Sequence, residues 1–230
     1  MWQRLQDTEE LRFMNKIKDA FNNKKAFIPF ITGGDPSVEI TKELILAMQE
    51  AGADLIEIGI PFSDPTAEGP VIQAANVRAL SGGVTTDKIF DMVRRIRQKT
   101  SIPMVFMTYA NVVYSYGTER FAKAAAEIGM DGLILPDVPF EEKEEFAIPF
   151  KEHGLDLISL IAPTSHERIA MIAKEAEGLG ISEPKQAEKM AAQSDGVIVG
   201  SAIVKLCEKY GADCVPNIST FVKEMKDAIR

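Results

Sequence analysis

An α/β fold organised on a parallel sheet is predicted by three features of this 230-residue sequence. Six short apolar segments of strand length recur along it: Ala26–Thr32, Leu55–Ile58, Pro103–Thr108, Gly132–Leu135, Leu155–Ile161 and Gly196–Val199. The intervening segments carry apolar residues at helical spacing, and strands alternating with amphipathic helices pair in parallel through crossover connections. The strands are short and helices follow every one. That favours a closed (β/α) barrel over a doubly wound sheet, although the pattern by itself admits both. A barrel of this type has eight strands in about 250 residues, and this sequence is two strands short of that number.

Met1–Asn23 reads as a helix with Trp2, Leu5, Leu11, Phe13, Ile17 and Phe21 as its apolar residues. Asn15–Phe21 is its regular part, and residues 1–14 form an N-terminal extension of a single domain spanning 1–230. After the first strand, Gly33-Gly34-Asp35-Pro36 predicts a turn in which Asp35 caps a helix and Pro36 takes its first position. Ile40, Leu44, Ala47 and Met48 mark one face of that helix, and Gly52 ends it. Gly69-Pro70 opens a helical run from Val71 to Leu80. Ile89, Met92, Val93 and Ile96 define a second helix before the third strand. Phe121, Ala125 and Ile128 define the next, stopped at Gly129. The acidic run Glu141–Glu145 is a solvated helical face, and Pro149 ends or kinks that helix. Thr164 and Glu167 form a capping box ahead of a face of Ile169, Ile172, Ala173 and Ala176. There the rhythm breaks. Two helical runs are joined only by Gly178-Leu179-Gly180-Ile181-Ser182, where a strand is expected.

The composition narrows the partners. A net charge of −8 argues against nucleic acid or an anionic membrane, since both need clustered Lys and Arg. Backbone N–H groups in an acidic protein still hold a small phosphate, so phosphorylated metabolites remain open. Cys207 and Cys214 have no metal-ligand spacing and read as buried or free thiols of a reducing cytosol. His153 and His166 are the only histidines and fall in no metal or triad pattern. No apolar run reaches the ~18 residues of a membrane span, and Met1–Phe13 is too polar and acidic for a signal peptide. A soluble cytoplasmic protein is expected.

Leu55–Gln73 carries the chemistry. Its apolar strand contains Glu57, and an unpaired carboxylate is costly to bury, which raises its pKa. A loop rich in Gly and Pro follows with Asp64 and Glu68. Glu57 and Glu68 can therefore meet in one cleft at a strand's C-terminal end, where parallel α/β proteins keep their chemistry. The pattern equally fits an edge-strand glutamate and a solvated loop acid. At the end of the chain, Gly200-Ser201 joins the last strand to a helix. That is a phosphate-binding arrangement or a plain N-cap.

These residues resemble those of a known family, the α subunit of tryptophan synthase. The resemblance rests on IEIGIPFSDPTAEGPVIQ (Ile56–Gln73), PFITGGDP (Pro29–Pro36), MTYANVV (Met107–Val113), LPDVPFEE (Leu135–Glu142), GISEP (Gly180–Pro184) and GVIVGSAIVK (Gly196–Lys205). It covers Asn15 to Arg230 with the order of motifs kept. It implies a TIM (β/α)8 barrel that cleaves indole-3-glycerol phosphate to indole and glyceraldehyde 3-phosphate. The expected partner is a β subunit in an α2β2 heterotetramer; pyridoxal phosphate belongs to that partner, and this chain needs no cofactor and no metal. Carried over by motif, Glu57 resembles the family's acid/base residue, and Glu68 stands where the family usually has Asp beside the indole N–H. Phe30, Ile72 and Tyr109 match the indole pocket, with a core role equally compatible. Gly180, Gly200 and Ser201 match the phosphate site, and Pro61, Asp64 and Asn111 match loops that face the β subunit.

The resemblance also locates the broken rhythm. In the family a strand, an active-site loop, a helix and another strand lie after the helix that ends here near Gly178. About forty residues, one β-α-β unit, are absent from this sequence near 178–180. The expected barrel is therefore incomplete, without the loop that closes over substrate.

Overall fold

Six parallel strands form one sheet in the computed structural model, which describes residues 16–22, 24–139, 142–158, 181–192 and 194–229. They are β1 (Ala26–Thr32), β2 (Ile56–Gly59), β3 (Met104–Met107), β4 (Gly132–Ile134), β5 (Asp156–Ile158) and β6 (Gly196–Val199). Their order is β5-β4-β3-β2-β1-β6. The first five run sequentially in one direction, and the last returns beside the first. Right-handed crossovers in one direction put all their helices on one face of the sheet. This is the winding of a barrel, not of a doubly wound sheet, which reverses midway to cover both faces. Among the described residues β5 and β6 each pair on one side only, so the sheet is an open half-barrel.

The helices are α1 (Lys16–Ala20), α2 (Val38–Glu50), α3 (Pro70–Ser81), α4 (Thr86–Ile96), α5 (Ala110–Tyr116), α6 (Thr118–Glu127), α7 (Glu144–Glu152), α8 (Pro184–Ala191), α9 (Ser201–Tyr210) and α10 (Cys214–Ala228). Alternation along the strands sorts the core into layers. Phe27, Ile31, Ile56, Ile58, Met104, Phe106, Leu133, Val197 and Val199 face outward and pack with the buried faces of the helices, including Leu44, Ile89, Val93, Phe121 and Val222. Ala26, Ile28, Leu55, Val105 and Ile134 face inward, and Ile17 and Ala20 of α1, with Phe21 just after it, close the barrel's floor beneath them. Phe30, with Ala75 of α3 and Val204 of α9, forms the layer above. Cys207 and Cys214 are both buried and unbridged. Among the described residues no helix is long and apolar enough to cross a membrane.

Several expectations are corrected. The cap of α2 is Ser37, whose Oγ accepts from Ile40 N at 3.2 Å, and not Asp35. Pro36 precedes the helix after a cis bond. Asp35 is instead committed to a buried ion pair with Arg78 on α3. Pro149 does not end α7, which runs through it to Glu152. The buried Phe146 and Phe150 hold both flanking turns against the core, so packing outweighs one missing bond. Asn111 lies in α5 rather than in a loop. The capping box at Thr164 and Glu167, the helical face after it, Gly180 and residues 1–14 lie outside the described residues.

Candidate active site

Glu57 sits on β2, between β1 and β3, with Phe30 as its register neighbour on one side and Val105 on the other. A central strand excludes the edge-strand reading. Its side chain points into the barrel beside the upper layer and is 5% exposed. Burial, and secondarily the charge of Glu68, push its carboxyl up to about 7. Such a group exchanges its proton at neutral pH, which suits an acid/base role.

Glu68 lies on the loop between β2 and α3, half-buried. Its Oε2 accepts from Asn76 Nδ2 at 2.7 Å, and its backbone carbonyl accepts from Gln73 Nε2 at 2.8 Å. Burial raises this carboxyl above its ordinary range, while the Asn76 bond works in the opposite direction. The two carboxyl groups are close enough for one to perturb the other, although Glu68 does not itself line the cleft beside Glu57.

A cleft of about 240 Å³ opens beside Glu57, lined also by Phe30, Ile72, Met107, Ile181, Ile198, Gly200 and Ser201. Its lining is mostly apolar, with Glu57 and Ser201 as its polar side chains. Glycine shapes its wall: a Cβ at Gly59 would sit 2.7 Å from the ring of Phe30, and one at Gly200 would sit 3.2 Å from it. Gly200 precedes α9, whose first turn has no side-chain cap. Uncapped N–H groups at a helix start attract an anion through both hydrogen bonding and the helix dipole.

The structure thus gathers Glu57, Phe30, Ile72, Gly200 and Ser201 at one cleft. Tyr109 is 2% exposed and lies behind the Glu68 loop, where its hydroxyl accepts from Ala67 N at 3.0 Å and its ring packs on Phe62 with centroids 5.2 Å apart. It braces the loop and does not wall the cleft. Of the residues expected to face a partner, Asp64 and Asn111 are exposed whereas Pro61 is buried. Four residues escaped the sequence reading: Met107, Ile181, Ile198 and Asn76. The first three read as ordinary strand or loop apolars. Ile198 stands out only in three dimensions, where it is 51% exposed on a strand whose neighbours Val197 and Val199 are buried. Asn76 had a usable signal, a polar residue beside Ala75 and Ala79 on the buried face of α3.

The comparisons agree with this geometry. The sequence matches the model of the family described as tryptophan synthase alpha chain over residues 16–179 and again over 175–230. A tryptophan synthase alpha chain from Lacticaseibacillus casei is 39% identical over 255 aligned positions, covering 94% of this chain and 96% of the relative. The matched part of this chain is about 216 residues, so about 39 positions of that alignment hold no residue of this chain. The crystal structure of tryptophan synthase subunit alpha from Legionella pneumophila superposes with a TM-score of 0.85 at 36% identity, covering 94% of this chain and 98% of that one. A chain from a study of mutual activation in the tryptophan synthase α2β2 complex of Pyrococcus furiosus gives 0.79 at 31%, covering 88% and 97%. A barrel winding, a buried glutamate on β2 facing the cleft and a two-part family match that breaks at the expected gap lead to one assignment: the chain belongs to the tryptophan synthase alpha chain family.

Proposed function

We propose that this chain is a lyase of tryptophan biosynthesis that cleaves indole-3-glycerol phosphate to indole and glyceraldehyde 3-phosphate. The observation that carries the reading is Glu57, a buried carboxyl that titrates near neutrality and faces the apolar cleft. In its protonated form Glu57 delivers a proton to C3 of the indole ring, leaving positive charge on the ring nitrogen. Glu68, as an anion, stabilises that charge at the N–H. The bond between C3 and the glycerol carbon then breaks, and its electron pair restores the aromatic ring. The adjacent hydroxyl becomes the aldehyde and returns its proton to Glu57. The cycle closes without a cofactor. Phe30, Ile72 and Met107 supply the apolar slot for the ring, and the uncapped start of α9 at Gly200 and Ser201 receives the phosphate. A β subunit holding pyridoxal phosphate is the expected partner, reached through the exposed Asp64 and Asn111, and the cytoplasm is the expected compartment. Indole release from indole-3-glycerol phosphate tests the reading, and a rate no higher than that of Glu57→Gln overturns it.

A second reading has its own support in the two-part family match and the 255 aligned positions set against this shorter chain. Lids exclude water and complete a catalytic set, so a chain without one serves as an activating partner of the β subunit with little turnover of its own. Titration into β subunit decides it: activation of the serine reaction without indole release supports this reading, and neither co-migration nor activation rejects it.

A further inference from the structure

We propose that Asn76 is a positioning residue: its buried amide holds Glu68 as an aimed, ionised carboxylate beside Glu57. The proposal rests on the functional reading above and adds a residue to it. Asn76 Nδ2 lies 2.7 Å from Glu68 Oε2. Three residues earlier on the same face of α3, Gln73 Nε2 lies 2.8 Å from the backbone oxygen of Glu68. One helix face thus grips both the main chain and the carboxylate of one loop residue. Asn76 is 4% exposed and its neighbours Ala75 and Ala79 are packed in the core, so the amide has no freedom to swing into solvent.

The chemistry of the pair sets the charge. An amide NH2 only donates, and an ionised carboxylate only accepts. The bond therefore favours the anion. The other groups that face Glu68 work the other way or are neutral. Glu57 of β2 is a like charge, and Tyr109, at the start of α5, carries a phenol that burial keeps protonated. Asp64, on the same loop, is exposed and engaged by Ser63, and Asp137 is turned to Ala110 N. Among the described residues Asn76 is the one favourable partner of the Glu68 carboxylate. Two neighbouring carboxyl groups need opposite states for this reaction, and the amide of α3 assigns them. A Glu at position 68 reaches this amide from a loop that has no other tie to its carboxylate.

The test is a carbon-13 titration of the full chain labelled at its glutamate carboxyls, with the Glu68 signal assigned by its loss in Glu68→Gln. Glu57 and Glu68 are followed together, because coupled acids titrate as a pair. In Asn76→Ser the Glu68 midpoint is expected to move up. The isosteric Asn76→Asp keeps the fold and moves it further up by adding a like charge. kcat for indole release falls about ten- to a hundredfold in Asn76→Ser, the size of a lost bond to a charged group, while KM changes little. The exchange Glu68→Asp with Asn76→Gln moves one methylene across the bond and restores most of kcat. A midpoint that does not move, or moves down because the amide carbonyl accepts from a protonated Glu68, overturns the proposal. The titration needs no turnover. A chain that shows the shift but releases no indole keeps Asn76 in this role and removes the lyase reading. A chain that turns over with an unmoved midpoint removes the Asn76 proposal alone.

Discussion

Arg78 on α3 grips Asp35 through two parallel bonds, Nε to Oδ1 at 2.9 Å and Nη2 to Oδ2 at 2.8 Å. Asp35 is nearly inaccessible, whereas Arg78 is partly exposed and also reaches Glu208 of α9 at 3.3 Å. The pair ties the turn after β1 to the helix that carries Ile72, Gln73 and Asn76, so it sets the position of the Glu68 loop from behind. Arg78→Met leaves a buried carboxylate unpaired and is expected to cost about 3 kcal/mol. Urea unfolding measures it. Activity should fall more than stability alone explains, because α3 is the element that orients Glu68.

Glu57 is held at a cost that pH reveals. Its carboxyl is raised from 4.5 to about 7, so the fold favours the protonated form. The stability of that form is fully present below about pH 4.5 and is lost as pH rises through about 7. Glu57→Gln, neutral at every pH, should match the parent in acid and exceed it above pH 7 by up to about 3 kcal/mol. Chemical denaturation at pH 4 and pH 8 checks the sign; a variant less stable than the parent at pH 8 contradicts the burial of this charge. The same variant should lose indole release.

Gly59 faces the ring of Phe30, whose Cζ and Cε2 would lie 2.7 and 2.9 Å from a new Cβ. Gly59→Ala must push Phe30 toward the cleft. The expected cost is about 1–3 kcal/mol, in the range of overpacking, together with a raised KM. Adding Phe30→Leu should recover both. A double-mutant cycle with no coupling between the positions would show that the ring is not displaced.

At the opposite end of β2, Asp54 collects Lys24 Nζ at 2.6 Å, Phe27 N at 2.8 Å and Lys226 Nζ at 2.6 Å. Lys226 also donates to the backbone oxygen of Lys25 at 2.9 Å, which fastens α10 to the segment leading into β1. Asp54→Ala strands a buried ammonium and should cost about 3–5 kcal/mol. Turnover per folded molecule should be unchanged, since the cleft lies at the other end of the strand. Comparing the midpoint of thermal unfolding with kcat separates the two effects.

The strands were legible because each is a compact apolar run, and β1 to β4 and β6 lie where the periodicity puts them, within a residue or two at their ends. β5 is described over Asp156–Ile158, and the rest of its expected span, residues 159–161, lies outside the described residues. The helices α3, α4 and α6 were legible for the same reason. α5 was not: Ala110–Tyr116 is short, and it follows a motif that reads as a loop. The cap of α2 was misread because Asp35 and Ser37 are both good caps by local chemistry, and a partner 43 residues away, Arg78, claims the first.

What the sequence determined by itself is the alternation of strand and helix, the family, the two carboxylates and the missing unit, since all of these are written in local order and residue type. What only the tertiary structure decided is which side chains meet. Chain order does not say that β6 closes beside β1, that Ile198 and Phe30 wall one cleft, that Tyr109 braces a loop, or that Asn76 reaches Glu68. Those contacts depend on strand register and on the angle at which α3 leaves its loop. Both are set by packing across the barrel, where the energy of a contact depends on distance in space and not on separation along the chain.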